Sequence, residues 1–148
     1  MHLFDALTPA EIYDVYDNLN IEVSSINIKP MVSPKSYLSI FRSLYLSSYL
    51  KEENSNYVLK ILTQTQYNDK IPSKLPSDVV VSHKIGVFKT VNTSEEAYTD
   101  CGIVYIPERP YALCIFVKGN DEEAKKHISY ISEVIHLYIT RVKSDNGI

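Results

Sequence analysis

The chain has 148 residues, of which 45% are hydrophobic and 22% charged, a composition typical of one globular domain. Its 18 acidic and 15 basic residues give a net charge of −3 without long runs of either sign, so we expect no nucleic-acid partner. No apolar stretch approaches the ~20 residues of a membrane helix. The N-terminus has neither the basic start nor the apolar core of a secretion signal, so the chain as written would stay in the cytoplasm.

Helix signals dominate the first half of the chain. Thr8-Pro9 and Ser33-Pro34 each join a capping residue to a proline that suits the first helical position. Three segments then carry apolar residues at helical spacing, which we expect to face inward: Ile12, Val15, Tyr16 and Leu19; Tyr37, Leu38, Phe41, Leu44 and Tyr45; Tyr57, Val58, Ile61 and Leu62. Residues 21–31 are expected to form an extended connection, and residues 64–78 a loop.

The second half has the period of strands. We predict strands over residues 79–88, 102–106 and 111–118, joined by a surface excursion over 89–99 and a hairpin at 107–110. A final helix is expected to lie on this sheet through one apolar stripe: Ala124, Ile128, Ile131, Ile135 and Tyr138. The predicted fold class is α+β in a single domain, with a helical part over residues 1–78. A three-stranded antiparallel sheet packed by a C-terminal helix follows over residues 79–148.

Cys101 and Cys114 fall on neighbouring predicted strands, diagonal to each other if the turn centres on Glu108 and Arg109. We expect two buried thiols that pack as small apolar residues. A disulfide would need Cα atoms within roughly 7 Å, which a diagonal pair only marginally meets. The four histidines show no ligand spacing with one another or with the thiols, so we expect no metal and no cofactor.

The first predicted strand carries the triplet Lys84-Ile85-Gly86, and the next two carry Asp100-Cys101-Gly102-Ile103-Val104-Tyr105 and Pro110-Tyr111-Ala112-Leu113. Together with the helix start Ser33-Pro34-Lys35-Ser36-Tyr37, this order resembles the C-terminal half of the class A β-lactamase-like family, the penicillin-recognising serine hydrolases. The resemblance covers most of residues 33–142. It implies a partial β-lactamase/transpeptidase-like fold, in which the family's Lys-Thr-Gly strand forms one wall of the active-site cleft.

The resemblance also implies roles for the residues of this strand. Lys84 would act electrostatically on a substrate carboxylate, Gly86 would let the substrate backbone approach closely, and the N–H of Val87 would be one of two oxyanion donors. Ile85 and Ser82 would line the same wall. Because Ile85 lacks the hydroxyl of the family's threonine, carboxylate binding should be weaker by ~1 kcal/mol, the value of one hydrogen bond.

A structural interpretation of the triplet stays open. Taken alone, Lys84 could be a charge on an edge strand that blocks aggregation. His83 is expected to be a half-buried neighbour without a part in the chemistry.

The nucleophile that such a site needs is not recognisable. The family uses a Ser-x-x-Lys motif, which Ser48-Tyr49-Leu50-Lys51 satisfies, but this segment falls in a break between two predicted helices and is expected to be a solvated turn. Ser25-Ile26-Asn27 matches the family's Ser-x-Asn but lies too close in sequence to the triplet. In the Glu-x-x-Leu-Asn pattern of the deacylating members, Tyr16 stands at the position of the glutamate before Leu19-Asn20, which leaves no identifiable general base.

Two functions are compatible with these observations. The first is the C-terminal part of a serine hydrolase acting on a β-lactam or a peptidoglycan peptide, inactive alone because the nucleophile is missing. The second is a complete, non-catalytic α+β binding module for a cell-wall peptide or a protein partner. A three-stranded remnant would leave an unpaired sheet edge, so we expect self-association. For a full-length form, the resemblance implies an extracytoplasmic or periplasmic location.

Overall fold

The computed structural model describes residues 6–21, 23–24, 29–30, 32–89 and 96–145. Its helices and strands, in chain order, are α1 (Pro9–Asn18), β1 (Val23–Ser24), β2 (Lys29–Pro30), α2 (Pro34–Tyr45), α3 (Glu52–Leu62), a 3₁₀ helix (Ile71–Lys74), β3 (Val80–Lys89), β4 (Glu96–Tyr105), β5 (Tyr111–Lys118) and α4 (Asp121–Asp145). The strands β3, β4 and β5 form an antiparallel sheet in that order. The predicted fold class, helices followed by a three-stranded antiparallel sheet and a C-terminal helix, is confirmed.

The first two helices begin where their caps predict. The Thr8 side chain accepts a hydrogen bond from the Glu11 N–H, and the Glu11 carboxylate accepts one from the Thr8 N–H. Ser33 and Ser36 make the same reciprocal pair at the start of α2. Each box satisfies backbone donors that a helix start would otherwise leave unpaired.

Two helices bury only part of the face that the apolar spacing predicted; in α3, Val58 and Leu62 are half-buried. In α3 the buried residues are Ser55 and Leu59, whereas Tyr57 and Ile61 are exposed. In α4, Ala124 and Ile128 of the predicted stripe are buried and Ile135 is half-buried. Ile131 and Tyr138 are exposed, so the prediction was wrong for these two. One buried row of α4 has a spacing of four and includes two polar residues: Ala124, Ile128, Ser132 and His136. A pattern of apolar residues could not reveal a contact face that includes serine and histidine.

The excursion predicted between the first two strands is shorter than expected. Strand β3 continues to Lys89 and β4 starts at Glu96, so the prediction was wrong for residues 89 and 96–99. Within the extended connection predicted over residues 21–31, β1 and β2 form an antiparallel pair, with Val23 opposite Pro30.

The two cysteines form a disulfide, which corrects the expectation of two thiols. Cys101 and Cys114 stand directly opposite each other in the β4–β5 register, with Cα atoms 4.0 Å apart. The turn lies at Pro107 and Glu108, one residue earlier than assumed, and Glu108 has a φ of 67°. Because moving a hairpin turn by one residue shifts every cross-strand pair by two, the diagonal pair became a direct one.

The sheet lies between two helical layers. One face packs on α4 and the 3₁₀ helix through a core that includes Ile71, Val81, Tyr98, Val104, Leu113, Ile115, Ala124 and Ile128. The other face packs on α2 and α3 through Phe41, Leu59, Cys101 and Ile103. Helices thus cover both faces of a sheet whose two outer strands, within the described residues, are β3 and β5.

Candidate functional site

The predicted site residues lie on β3, at an outer edge of the described sheet. Side chains alternate along a strand, so Lys84 and Gly86 share the face of α2 and α3, whereas Ile85 and Val87 share the face of α4. Lys84 is exposed, and its Nζ donates to the Ile85 carbonyl oxygen at 2.8 Å. The structure therefore places Lys84 and Gly86 on one face of β3. Ile85 and Val87 have their side chains on the other face, so only their backbone groups are available next to Lys84.

The hydrogen-bonding parity of the sheet determines which backbone groups of β3 point outward. The Cα separation of 4.0 Å identifies Cys101 and Cys114 as a non-hydrogen-bonded pair, so the backbone groups of Cys101 point toward β3. Cys101 stands opposite Lys84, which makes that pair hydrogen-bonded. The N–H and C=O groups of Ile85 and Val87 then point away from the sheet, consistent with the carbonyl of Ile85 accepting from Lys84 Nζ.

Thr99 lies beside the glycine of the triplet and was not recognised from the sequence. It is opposite Gly86 on β4, and a Cβ added to Gly86 would lie 2.6 Å from Thr99 Oγ1. Because Gly86 has no side chain, this hydroxyl can take its present position close to the β3 backbone. The surface next to Lys84 therefore carries a threonine hydroxyl from the neighbouring strand, although position 85 is isoleucine.

Ser82 and His83, which precede the triplet, are both buried. Ser82 Oγ donates to the Leu59 carbonyl oxygen at 2.8 Å and lies 3.3 Å from the Tyr105 hydroxyl. The prediction that Ser82 lines an open wall was wrong, because this hydroxyl joins β3 to α3. His83 is 1% exposed, more buried than the half-buried neighbour that was expected.

His83 belongs to a buried polar network that supports the strand. Its Nδ1 lies 2.8 Å from Asp100 Oδ1, and Asp100 Oδ2 accepts from the Ile71 N–H at 2.9 Å. The Ile71 carbonyl accepts from Ser132 Oγ at 2.9 Å, and His83 Nε2 lies 3.4 Å from Asn68 Oδ1. One residue before Lys84, β3 is thereby connected to β4, to the 3₁₀ helix and to α4. The pairing of His83 with Asp100 could not be predicted from the sequence, because it becomes apparent only from the β3–β4 register.

Gly102 explains how closely β3 and β4 approach at His83. A Cβ on Gly102 would lie 2.3 Å from the Ser82 carbonyl oxygen and 2.7 Å from the His83 Cβ. Backbone and Cβ atoms cannot yield as a flexible side chain would. Glycine at this position therefore sets the distance between the two strands behind Lys84.

At the far end of β3 an ion pair flanks the strand. Lys89 Nζ lies 2.7 Å from Glu96 Oε1, and this hydrogen bond, followed by one from the Tyr98 hydroxyl, lowers the pKa of Glu96 below its ordinary 4.5. The same contact raises the pKa of Lys89. On the other side of the sheet, burial raises the pKa of Tyr111 to about 12, so this phenol stays protonated.

The other motifs singled out in the sequence lie apart from one another. Ser48 is exposed in the turn after α2, and Lys51 is the exposed residue that precedes α3. Tyr16 lies within α1, whereas Leu19 and Asn20 follow that helix. Ser25-Ile26-Asn27 lies outside the described residues.

Lys84 lines neither of two clefts on the described surface. The larger, of about 750 Å³, lies between the end of α1 and α2 and is lined by Leu19, Asn20, Lys35 and serines of α2. The second, of about 530 Å³, is more apolar and lies between α2 and the start of β5. Lys84 itself is exposed on the outer edge of β3.

The described residues contain no group of three or more histidine, cysteine, aspartate or glutamate side chains that could hold a metal ion. Among the described residues, no helix is long and apolar enough to cross a membrane.

Comparisons with known proteins complete the description of the site. The sequence model of the beta-lactamase enzyme family matches residues 3–139. No significantly similar sequence was found among curated proteins.

Several solved structures share the fold. They include TLA-3 extended-spectrum beta-lactamase (TM-score 0.76, 18% identity, 88% of this chain and 54% of that one) and PBP-A (0.72, 18%, 89% and 51%). A beta-lactamase from Chitinophaga pinensis is similar as well (0.71, 21%, 85% and 53%). The chain thus spans about half the length of the solved chains that it matches.

Proposed function

Because this chain belongs to the beta-lactamase enzyme family, we propose that it supplies the lysine-bearing wall of a serine acyl-transfer site. In this proposal it acts as the C-terminal part of a β-lactamase-like hydrolase whose substrate is a β-lactam or a peptidoglycan peptide. The serine lies outside these 148 residues, and the chain alone is inactive.

The chemistry assigns one task to each group of the β3 edge. When a serine hydroxyl attacks the acyl carbonyl, negative charge develops on the carbonyl oxygen, and an N–H fixed in advance stabilises it. The outward N–H of Val87 is suited to this task, and the Lys84 ammonium to attracting the substrate's carboxylate. With isoleucine at position 85, one hydrogen bond to that carboxylate is lost, which weakens binding by ~1 kcal/mol.

The observation that carries the proposal is the exposure of Lys84 beside outward-pointing backbone groups. A lysine that only protected the edge would not need the buried network of His83 and Asp100 behind it, nor the glycine that Thr99 approaches. One similar solved structure, a PBP-A variant, is an acyl-enzyme complex with penicillin G, which supports a penicillin as the probe.

The first experiment tests whether the chain alone can be acylated. After incubation with a fluorescent penicillin and denaturation, we expect no labelled band, because Ser48 is an exposed turn residue and Lys51 precedes the next helix, so the two do not lie on successive turns of one helix. A label that persists in Ser77→Ala and disappears in Ser48→Ala would contradict the proposed inactivity.

The second experiment tests the binding wall itself. Penicillin G titrated into the ¹⁵N-labelled chain should shift the Val87 amide resonance, and Lys84→Ala should weaken this binding at least tenfold. Lys60→Ala, which removes an exposed lysine from α3, is the matched control and should leave binding unchanged. Absence of binding, or equal binding by the Lys84 variant, would refute the proposed role of β3.

A non-catalytic binding module for a cell-wall peptide or a protein partner is the second candidate. The observation in its favour is that Lys84 is exposed on a strand edge while the Ser-x-x-Lys segment, Ser48 to Lys51, is a turn. Reversible binding of penicillin G without a covalent adduct, in a protein expressed from a gene without an upstream in-frame segment, would favour it. The disulfide supports an oxidising compartment for either candidate, since such bonds persist mainly there.

A further inference from the structure

The two lysines of β3 differ in how their charge is balanced. Lys89 Nζ lies 2.7 Å from Glu96 Oε1, whereas Lys84 has no ion-pair partner among the described residues. The Lys84 ammonium carries three donors and uses one of them for the Ile85 carbonyl oxygen. Exposed lysines are common on protein surfaces, so Lys84 marks a site only if other groups beside it can bind the same ligand.

The Thr99 hydroxyl is such a group. Thr99 is half-buried on β4, and its hydroxyl makes no hydrogen bond to the part of the chain that the structure describes. The other described threonines all use theirs within the protein: Thr8, Thr63, Thr65 and Thr140. The Thr99 hydroxyl is therefore available as a donor to a bound molecule.

This hydroxyl lies over β3, although its residue belongs to β4. Thr99 is opposite Gly86, and Thr99 Oγ1 lies 2.6 Å from the point that a Cβ of Gly86 would occupy. Lys84 is the diagonal neighbour of Thr99, since it precedes Gly86 by two residues. Diagonal neighbours on one face of a sheet are about 7 Å apart, a distance that a lysine side chain can span. The ammonium and the hydroxyl can thus reach one ligand.

The surface of β3 has a gap at this position. Side chains alternate along the strand, so Lys84, Gly86 and Phe88 share one face. Lys84 and Phe88 are exposed, Phe88 by 58%, whereas Gly86 between them has no side chain. The gap offers an ammonium on one side, an aromatic ring on the other and the Thr99 hydroxyl at its floor.

We infer that the Thr99 hydroxyl and the Lys84 ammonium bind the same carboxylate of the substrate. A carboxylate accepts several hydrogen bonds at once, and its single charge matches one ammonium. Thr99 thereby offsets, from the neighbouring strand, the hydrogen bond that Ile85 cannot make. The inference rests on the proposed function and deepens it, since it adds Thr99 to the substrate-binding residues and requires an acidic substrate.

Two substitutions at position 99 separate this role from packing. Valine has the shape of threonine but no hydroxyl, so Thr99→Val retains the packing beside Gly86 and removes the donor. Thr99→Ser retains the hydroxyl and removes a methyl group. A threonine that only filled space would be replaced better by valine than by serine, whereas a carboxylate ligand demands the opposite order.

Penicillin G and its methyl ester, titrated into the ¹⁵N-labelled 148-residue chain, test the inference, because the ester has no carboxylate charge. Thr99→Val should weaken penicillin G binding about tenfold, the loss of one hydrogen bond to a charged group, and ester binding by less than about twofold. Thr99→Ser should bind penicillin G nearly as well as the wild type. Thr140→Val replaces another half-buried threonine, on α4, and is the matched control that should bind both compounds like the wild type.

A double-mutant cycle and a melting curve complete the test. Because both groups bind one carboxylate, Lys84→Ala and Thr99→Val together should lose less affinity than the product of the two single losses. An unchanged melting temperature of Thr99→Val shows that lost affinity is not lost structure. If Thr99→Val melts lower than the wild type, Thr99→Ser against Thr99→Ala makes the same comparison, with tighter binding expected for serine.

The outcomes distinguish this inference from the proposed function. Penicillin G binding that Lys84→Ala weakens and the loss of the Thr99 hydroxyl does not would overturn the inference and leave the Lys84 wall in place. Equal losses for penicillin G and the ester in Thr99→Val would also overturn it, because they would come from the shape of β3. Absence of binding by the wild type would refute the proposed function and this inference together.

Discussion

Replacing Asp100 by alanine tests the buried network behind the Lys84 strand. The Asp100 carboxyl is fully buried and makes two hydrogen bonds, at 2.9 Å to the Ile71 N–H and at 2.8 Å to His83 Nδ1. In Asp100→Ala both partners lose their bond inside the protein, and water cannot replace it without opening the core. Hydrogen bonds to a carboxylate contribute about 1.5–3 kcal/mol each, so we expect a loss of about 3–5 kcal/mol in the free energy of unfolding.

Urea unfolding measures this loss. With a slope of about 2 kcal/mol per molar urea, the midpoint should fall by roughly 2 M. Asp78→Ala, at an exposed loop position, is the control and should stay within about 0.5 kcal/mol of the wild type. A double-mutant cycle with His83→Ala should give a coupling of at least ~1 kcal/mol. A total loss below ~1 kcal/mol in Asp100→Ala would refute the idea that this network holds β3 in position.

Two further predictions concern stability. Reducing the Cys101–Cys114 disulfide, which links residues 13 apart in sequence, should lower the free energy of unfolding by about 3 kcal/mol. Thermal unfolding with and without reductant measures this loss of stability. An unchanged wild-type midpoint would contradict the prediction. As a control, a variant with serine at both cysteine positions should not respond to reductant. The hydrogen bond from Lys89 lowers the folded-state pKa of Glu96, so its stabilisation is present above pH 4.5 and is lost as the pH falls through the folded value. Glu96→Gln should therefore flatten the decline in melting temperature below pH 4.5, whereas the control Glu53→Gln on α3 should not. If the melting temperatures of Glu96→Gln and the wild type fell equally steeply with pH, the Lys89–Glu96 ion pair would be excluded as a cause of the decline.

The parts of the fold that depend on local chemistry were predictable from the sequence. Thr8 and Ser33 specify two helix starts because capping needs only a side-chain oxygen and the next turn of backbone. The third strand, Tyr111–Lys118, was predicted with its observed bounds because a turn and a glycine delimit it. Family resemblance added the order of the elements.

What the sequence could not provide is register. The disulfide was missed because a one-residue error in the turn changes every cross-strand pair by two, and the partnership of His83 with Asp100 depends on the same alignment. The inward face of α4 was missed in part because Ser132 and His136 are polar but hydrogen-bonded where they are buried or nearly so. Thr99 beside Gly86 became visible only when β4 was found to begin at Glu96.

Ile71 anchors the long connection between the helical part and the sheet on two sides. Its N–H is bound by a side chain of β4 and its C=O by a side chain of α4, while its own side chain is fully buried. The exposed residues 66–67, only a few positions earlier, have no comparable anchor in the core. An inserted loop or a protease cut should therefore be tolerated before Asn68 but not at Ile71. The connection can change in length on the N-terminal side of this anchor, but not at the anchor itself.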